Sequence, residues 1–375
     1  MDKPKDIAPL STDTNPYLHV IETSQGKMRF LNLKEMLGVA DQYHFGVLAA
    51  NAVVPEMVYG VLDAAFECNS PVIIEAAESQ IGYALPGQDY TEKLTRFQDL
   101  IVDAIIACVD KYGKRIPICL HIDHLQKDPE IAYVASKLGY TSVELDFSKQ
   151  STTDRTEAVR LNIAKCAPII DDLHTLGISV EVEEGEIGSA QARSAQSREE
   201  IEKEITKVDD AVLLVAGANP EALAVFIGAA HGEMTGDPPI FYSQIGKIRT
   251  GLRARNLDVP IVLHGGTGQT YQGFNEAVRQ GARKFNYATR FWTILYSYLQ
   301  KDSDGILILE EMNQAAKKIG RSSRYVWVEF AEKLYDEIQP SVFQQAQNEI
   351  CTHARELMEE AYLSKGMATH YPQLM

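Results

Sequence analysis

IPICLHIDHLQKDPEIAYVASKLGYTSVELD, residues 116–146, holds one complete unit of architecture. Ile116, Ile118, Cys119 and Leu120 make an apolar run of strand length, which reads as a buried strand rather than a surface loop. DPEIAYVASKLGY follows, with acidic residues and proline at its start and glycine at its stop, the punctuation of a short helix. TSVELD, 141–146, is a second β-rich run. Strand, helix, strand is the crossover that joins parallel neighbours in a sheet buried on both faces. The first strand also poses a problem. It ends in His121, Asp123 and His124, and burying such groups without partners is expensive, so they need hydrogen bonds, water or a metal.

The same alternation runs outward in both directions. Strand-like runs recur at 45–50, 71–75, 116–121, 141–146, 178–183, 223–229, 259–264 and 283–287. Helical stretches fall between them at 53–67, 91–111, 129–138, 155–175 and 271–280. Eight such strands close a (β/α)8 TIM barrel. The rival is an open doubly wound sheet, but no GxGxxG or GxxxxGK[ST] follows the first strand. The polar, Ser/Ala-rich stretch 185–207 reads as a loop that turns into a helix, on the face where barrels build their sites. After residue 289 the alternation stops, and 291–366 reads as helical throughout. The expected organisation is a barrel with an N-terminal lead-in over 1–300. A helical C-terminal extension over 301–375 belongs to the same domain or to an oligomer interface.

A formal net charge of −16 argues against nucleic-acid or anionic-membrane partners, while leaving room for a local basic pocket. The start of the chain has no apolar core of signal-peptide type, and no apolar run is long enough to span a bilayer. Five scattered cysteines without CxxC pairs look like reduced packing residues. A cytoplasmic protein is the expectation. Apolar stripes in the helical tail, in EFAEKLYDEI and EICTHARELMEEAYL, predict a homodimer or homotetramer.

The chemistry collects where the strands end. His124 closes one strand, Asp146 the next, and Glu181 and Glu183 lie two apart on one side of another. His231, His264 and Asn286 stand at later strand ends. In a barrel these ends meet at one mouth, and three histidines with one open position form a catalytic zinc arrangement. Any single histidine there would more often be structural; three at corresponding strand ends favour a metal. His121 is read as lying behind the ligands or in the core, and His19, His44, His174, His353 and His370 as structural. HGGTG at 264–268 offers Gly265, Gly266 and the Thr267 hydroxyl, and Thr289 starts a helix. Both lie where barrels hold phosphate or a similar anion.

Taken in order, HIDH, TSVELDFS, VEVEEGEIG, AVFIGAAHG, VLHGGTG and KFNYAT resemble the class II zinc-dependent ketose-bisphosphate aldolases over roughly residues 30–300. The resemblance implies a metal-dependent lyase that reversibly cleaves a phosphorylated ketose to dihydroxyacetone phosphate and an aldehyde, through a zinc-stabilised enediolate. It implies His124, His231 and His264 as ligands of Zn2+, with Co2+, Fe2+ or Mn2+ as alternatives. Asp146 and Glu183 match carboxylates that hold the metal in a withdrawn position, and Asp123 matches the proton shuttle at the aldehyde-derived hydroxyl. Asn51 and Asn286 match residues near the reacting carbonyl, and Gly232, Gly265, Gly266, Thr267 and Thr289 match the phosphate cradle. RSSRYVW, 321–327, looks like the segment whose arginine reaches the neighbouring subunit's distal phosphate, which makes Arg324 the candidate.

The departures from the family pattern point to a shifted substrate. GSAQARSAQ replaces the loop acid after the fifth strand, with Glu186, Glu199 or Glu200 as substitutes. Ala288 stands in place of an aspartate, Glu233-Met234 in place of an aromatic, and EAAES at 75–79 in place of a Ser-containing pocket. The glycolytic six-carbon bisphosphate is therefore one candidate among several. Two other readings are a metal-dependent sugar-phosphate isomerase or epimerase, which needs no bond cleavage, and a non-catalytic sugar-phosphate-binding descendant.

Overall fold

The computed structural model describes residues 16–152, 154–185, 196–230, 232 and 239–371. A short antiparallel hairpin, β1 (Val20–Thr23) and β2 (Gly26–Arg29), precedes the barrel. Eight parallel strands then close on themselves: β3 (Val47–Ala50), β4 (Val72–Ala77), β5 (Ile118–Leu125), β6 (Ser142–Leu145), β7 (Ser179–Glu184), β8 (Ala222–Val225), β9 (Ile261–Leu263) and β10 (Ala282–Tyr287). Each strand pairs with the next, and β10 returns to β3 with Asn286 opposite Ala49 and Tyr287 opposite Ala50. The (β/α)8 expectation holds.

Period-two alternation divides every strand between two environments. Leu48, Ile74, Leu120, Val143, Val182 and Leu263 face outward into the helical layer. Val47, Ala49, Ile73, Cys119, Ala224 and Val262 face inward and meet Leu33, Met36, Leu37 and Ala40 of the helix Leu33–Tyr43, which plugs the lower end. That helix starts on a capping box, with Asn32 and Glu35 satisfying each other's backbone N–H groups, and stops where His44 turns left-handed. Above the plug the inward positions become charged. Glu75, His121, Glu144, Glu181 and Lys284 are all fully buried.

Two strands differ from their expected spans. β8 stops at Val225 rather than continuing to residue 229, because Phe226 leaves the ladder for Thr206, whose hydroxyl accepts its N–H at 2.9 Å. β5 runs on past His121 to Leu125, so the whole HIDH motif lies in the strand. The helical extension forms as expected and packs on the barrel. Helix Pro340–Glu356 lies so close to helix Pro55–Cys68 that a side chain on Gly60 would meet the Gln347 carbonyl oxygen at 2.8 Å. The stripes read as an oligomer surface are used within the chain: Leu334, Ile350, Ala354 and Leu357 are fully buried. Among the described residues no helix is long and apolar enough to cross a membrane.

Candidate active site

A fault in one strand builds the mouth. β5 pairs with β6 at Ile122–Val143 and again at Leu125–Leu145, so three steps on one strand match two on the other. The extra residue is a β-bulge, and His124 within it has φ of 51°. In a regular strand Asp123 and His124 would face opposite sides; the bulge turns both toward the barrel mouth. A non-glycine residue held in this left-handed region costs about 1–3 kcal/mol, a price usually seen at functional sites.

His124 and His264 face each other, with Nε2 of one 2.9 Å from Nδ1 of the other. On the far side of each ring sits a carboxylate. His124 Nδ1 is 3.1 Å from Asp146 Oδ2, and His264 Nε2 is 3.2 Å from Glu181 Oε1. At that distance one ring nitrogen donates its N–H to the lone pair of the other. Burial works against a charged His124, yet the acids Glu144, Asp123, Asp146 and Glu183 around it push its pKa well above the ordinary range. His264 moves the other way, lowered by burial and by the charge on His124.

The same donors suit a divalent cation. His124, Asp146 and Glu183 bring ligand atoms within 4.8 Å of one another, as do Asp123, His124, Glu144 and His264. Glu183 Oε2 and Glu144 Oε1 are buried and accept no hydrogen bond from the described residues. Burial first, and Asp146 second, push the Glu183 carboxyl above its ordinary range, the signature of a group short of positive charge. Histidine and carboxylate donors at this spacing fit a borderline metal such as zinc. His231 lies outside the described residues.

Asp123 is fixed from two sides. Asn51 Nδ2 donates to its Oδ2 at 2.9 Å, and Asn286 Nδ2 donates to its Oδ1 at 2.8 Å. Asn51 in turn is tied to Gln80 Oε1 at 3.2 Å. Burial would raise the Asp123 carboxyl, but His124 and a hydrogen bond with Glu144 hold it well below the usual range. These groups line a cavity of about 620 Å³ whose wall also includes Gly232, Gly265, Gly266, Thr267 and Thr289. Gly265 must be glycine: φ is 69°, and a Cβ would sit 2.5 Å from the Ala230 carbonyl oxygen. Ala288 caps helix Thr289–Leu299 without a side-chain hydrogen bond, so the helix start, where Thr289 borders the cavity, is not closed by a cap side chain.

Arg324, the candidate for the distal phosphate, has a place at the cavity. It lines the mouth of its own barrel, because Tyr325 packs on Tyr83 at 4.5 Å and Val326 and Trp327 are buried behind it. Its Nε–H is buried with no acceptor among the described residues. Glu199 and Glu200 lie on helix Arg198–Glu204, away from the cavity, where Glu200 caps the Ser197 N–H at 2.7 Å; Glu186 lies outside the described residues. His121 is buried one layer down, its Nδ1 2.8 Å from Ser142 Oγ. His19, His44, His174, His353 and His370 line no part of the cavity. Glu75, Glu144, Gln80 and Lys284 escaped the sequence reading. Glu144 and Lys284 could have been found from alternation alone, since each lies two before a site residue, Asp146 and Asn286.

A parallel barrel with a cation-seeking histidine pair beside an amide-clamped aspartate is the framework of a metal-assisted barrel enzyme. A profile of the family described as fructose-bisphosphate aldolase class-II matches residues 31–362. The chain belongs to that family; it is an aldolase, a carbon–carbon lyase of a generally metal-dependent kind. It is 28% identical over 264 residues to a sulfofructosephosphate aldolase of Alkalicoccus urumqiensis, covering 70% of this chain and 81% of the relative. It is 26% identical over 280 residues to a 6-phospho-5-dehydro-2-deoxy-D-gluconate aldolase of Bacillus licheniformis, covering 74% and 86%. The crystal structure of the YdjI aldolase from Escherichia coli K12 shares the fold, with a TM-score of 0.63 at 22% identity over 90% of this chain and 99% of that one.

Proposed function

We propose that the protein is a divalent-metal-dependent aldolase that cleaves a phosphorylated ketose to dihydroxyacetone phosphate and an aldehyde. The observation that carries this reading is the placement of Asp123, clamped by Asn51 and Asn286, in the same cavity wall as the His124–His264 pair. His124, His231 and His264 would hold the metal, Zn2+ first among the candidates, and Asp146 and Glu183 would offer it a second position. When bound, the cation supplies a Lewis acid that stabilises the negative charge left on the ketose fragment as the bond breaks. Asp123 takes the proton from the C4 hydroxyl while the C3–C4 electron pair stays with the ketose fragment and C4 leaves as an aldehyde. In the reverse direction it returns that proton. Asn51 and Asn286 orient Asp123 and border the reacting carbons. Gly232, Gly265, Gly266, Thr267 and Thr289 hold the phosphate of the triose half.

Arg324 reads the other end of the substrate, from the same chain. The relatives named above act, by their names, on ketose phosphates or related sugar acids with different distal groups. An arginine with an unsatisfied buried N–H suits a distal phosphate, sulfonate or carboxylate. The test is a panel of ketose phosphates with and without a distal anion, assayed for triose-phosphate release with zinc or cobalt. At least one member with a distal anion is expected to be cleaved. Arg324→Ala should lower kcat/KM for it about tenfold, with little effect on a ketose 1-phosphate lacking that group. No triose phosphate from any member would sink the function, and an equal loss on both substrate types would sink the role of Arg324.

The chain is also read as a homodimer or homotetramer. Ile306, Leu307 and Ile319 stand 45%, 57% and 57% exposed along helix Ser303–Lys318 and its end, more apolar surface than a solvated helix needs. Sedimentation at micromolar concentration should show a species larger than one chain. A single monomer boundary would refute it.

A further inference from the structure

Lys284 is the one lysine among the described residues buried to 0%, and it stands inside the barrel beneath the site. Its Nζ lies 3.0 Å from Glu181 and 3.2 Å from Glu75 and donates to Asn286 Oδ1 at 2.8 Å. Barrel interiors are normally filled by branched apolar side chains. A buried ion pair is a poor way to gain stability, since well-packed apolar replacements are often neutral or better. Something other than stability calls for this ammonium.

The Asn286 amide supplies the reason. Its two ends have nearly the same shape and opposite hydrogen-bond sense. A lysine ammonium only donates, so the amide oxygen must face Lys284. The NH2 group is then turned toward Asp123, 2.8 Å away. Rotated by half a turn, the amide would set its oxygen against the Asp123 carboxylate and its NH2 against the ammonium. Both contacts would be repulsive.

We propose that Lys284 is a positioning residue: it fixes the sense of the Asn286 amide from below and so holds the Asp123 carboxylate in its reactive orientation. The inference rests on the reading of Asp123 as the acid–base group. Lys284 itself does not line the cavity, which separates this role from that of an amine nucleophile.

Removing the ammonium alone would leave Glu75 and Glu181 as buried acids without their partner, which by itself destabilises. The full-length protein is therefore compared as Glu75→Gln with Glu181→Gln and as the same pair with Lys284→Met, each with and without Asn286→Ala. Glutamine still offers an oxygen to His264 Nε2, which lies 3.2 Å from Glu181. Adding Lys284→Met should lower kcat about tenfold to a hundredfold, the scale on which small misplacements of catalytic groups are felt, with KM and bound metal per chain little changed. In the Asn286→Ala background the same change should have almost no effect, because the amide that Lys284 orients is gone. Lys284→Gln, which keeps an N–H donor, should recover most of kcat. Wild-type-like kcat, a loss of equal size with and without Asn286, or a glutamine variant as impaired as methionine would each overturn the proposal. If Asp123→Ala keeps full turnover, the parent reading falls. If Asp123→Ala is impaired while the Lys284 series is not, only the positioning role falls.

Discussion

Asp123→Ala is expected to keep its metal and lose turnover by about a hundred- to ten-thousandfold, the range a well-placed general acid–base group contributes. The expectation comes from the division of labour at the bulge. His124 turns its ring toward His264, whereas both Asp123 oxygens are taken up by the amides of Asn51 and Asn286. The carboxylate is thus aimed and charged without being required as a ligand. Alanine removes the proton acceptor and leaves the histidine pair in place. Asparagine would be a poorer control, since its NH2 group would confront one of the two amide donors. Metal analysis of the purified variant and single-turnover cleavage separate the two roles. Zinc lost along with activity, or cleavage at the wild-type rate, would show the assignment to be wrong.

Removing the metal should have the larger effect. Exhaustive chelation is expected to take cleavage to background, and zinc or cobalt to restore it, because a site built largely from neutral imidazoles releases and rebinds such ions. His264→Ala should lose metal and activity together. Its barrel should survive, since His264 packs among polar neighbours at the mouth rather than in the apolar layer. Metal ligation needs neutral imidazoles, and the acids around His124 favour its protonated form, so affinity for added metal should rise with pH and fall in acid. Circular dichroism checks the fold, and metal titration with activity checks the rest. Cleavage that survives chelation, or borohydride trapping of a lysine adduct, would exclude the mechanism.

Much of this was legible before any coordinates. Alternation of β-rich and helical runs was enough for the barrel, because a strand buried on both faces leaves an apolar signature that a surface loop does not. The site was legible in outline because charged residues at the ends of such strands have no other place to go. Three things were not. The bulge at Asp123–His124 leaves no mark in the sequence, since its cause is a one-residue mismatch with a neighbouring strand. The Lys284–Glu75–Glu181 cluster joins three strands far apart in the chain, so each member alone reads as an ordinary charged residue. The direction in which Arg324 points depends on the stacking of Tyr325 on Tyr83, a contact between distant segments.

The bulge also bears on how portable this chemistry is. A designer who copies Asp123 and His124 onto a regular strand of another barrel will place one side chain at the mouth and the other among the outer helices. The motif travels only with its extra residue and with a neighbour, here Val143–Leu145, that passes it by. One extra residue between Val143 and Leu145 would let the neighbour match every step of β5 and undo the arrangement while leaving every functional side chain in the sequence. Alignments that score the HIDH letters alone would pass such a chain as intact.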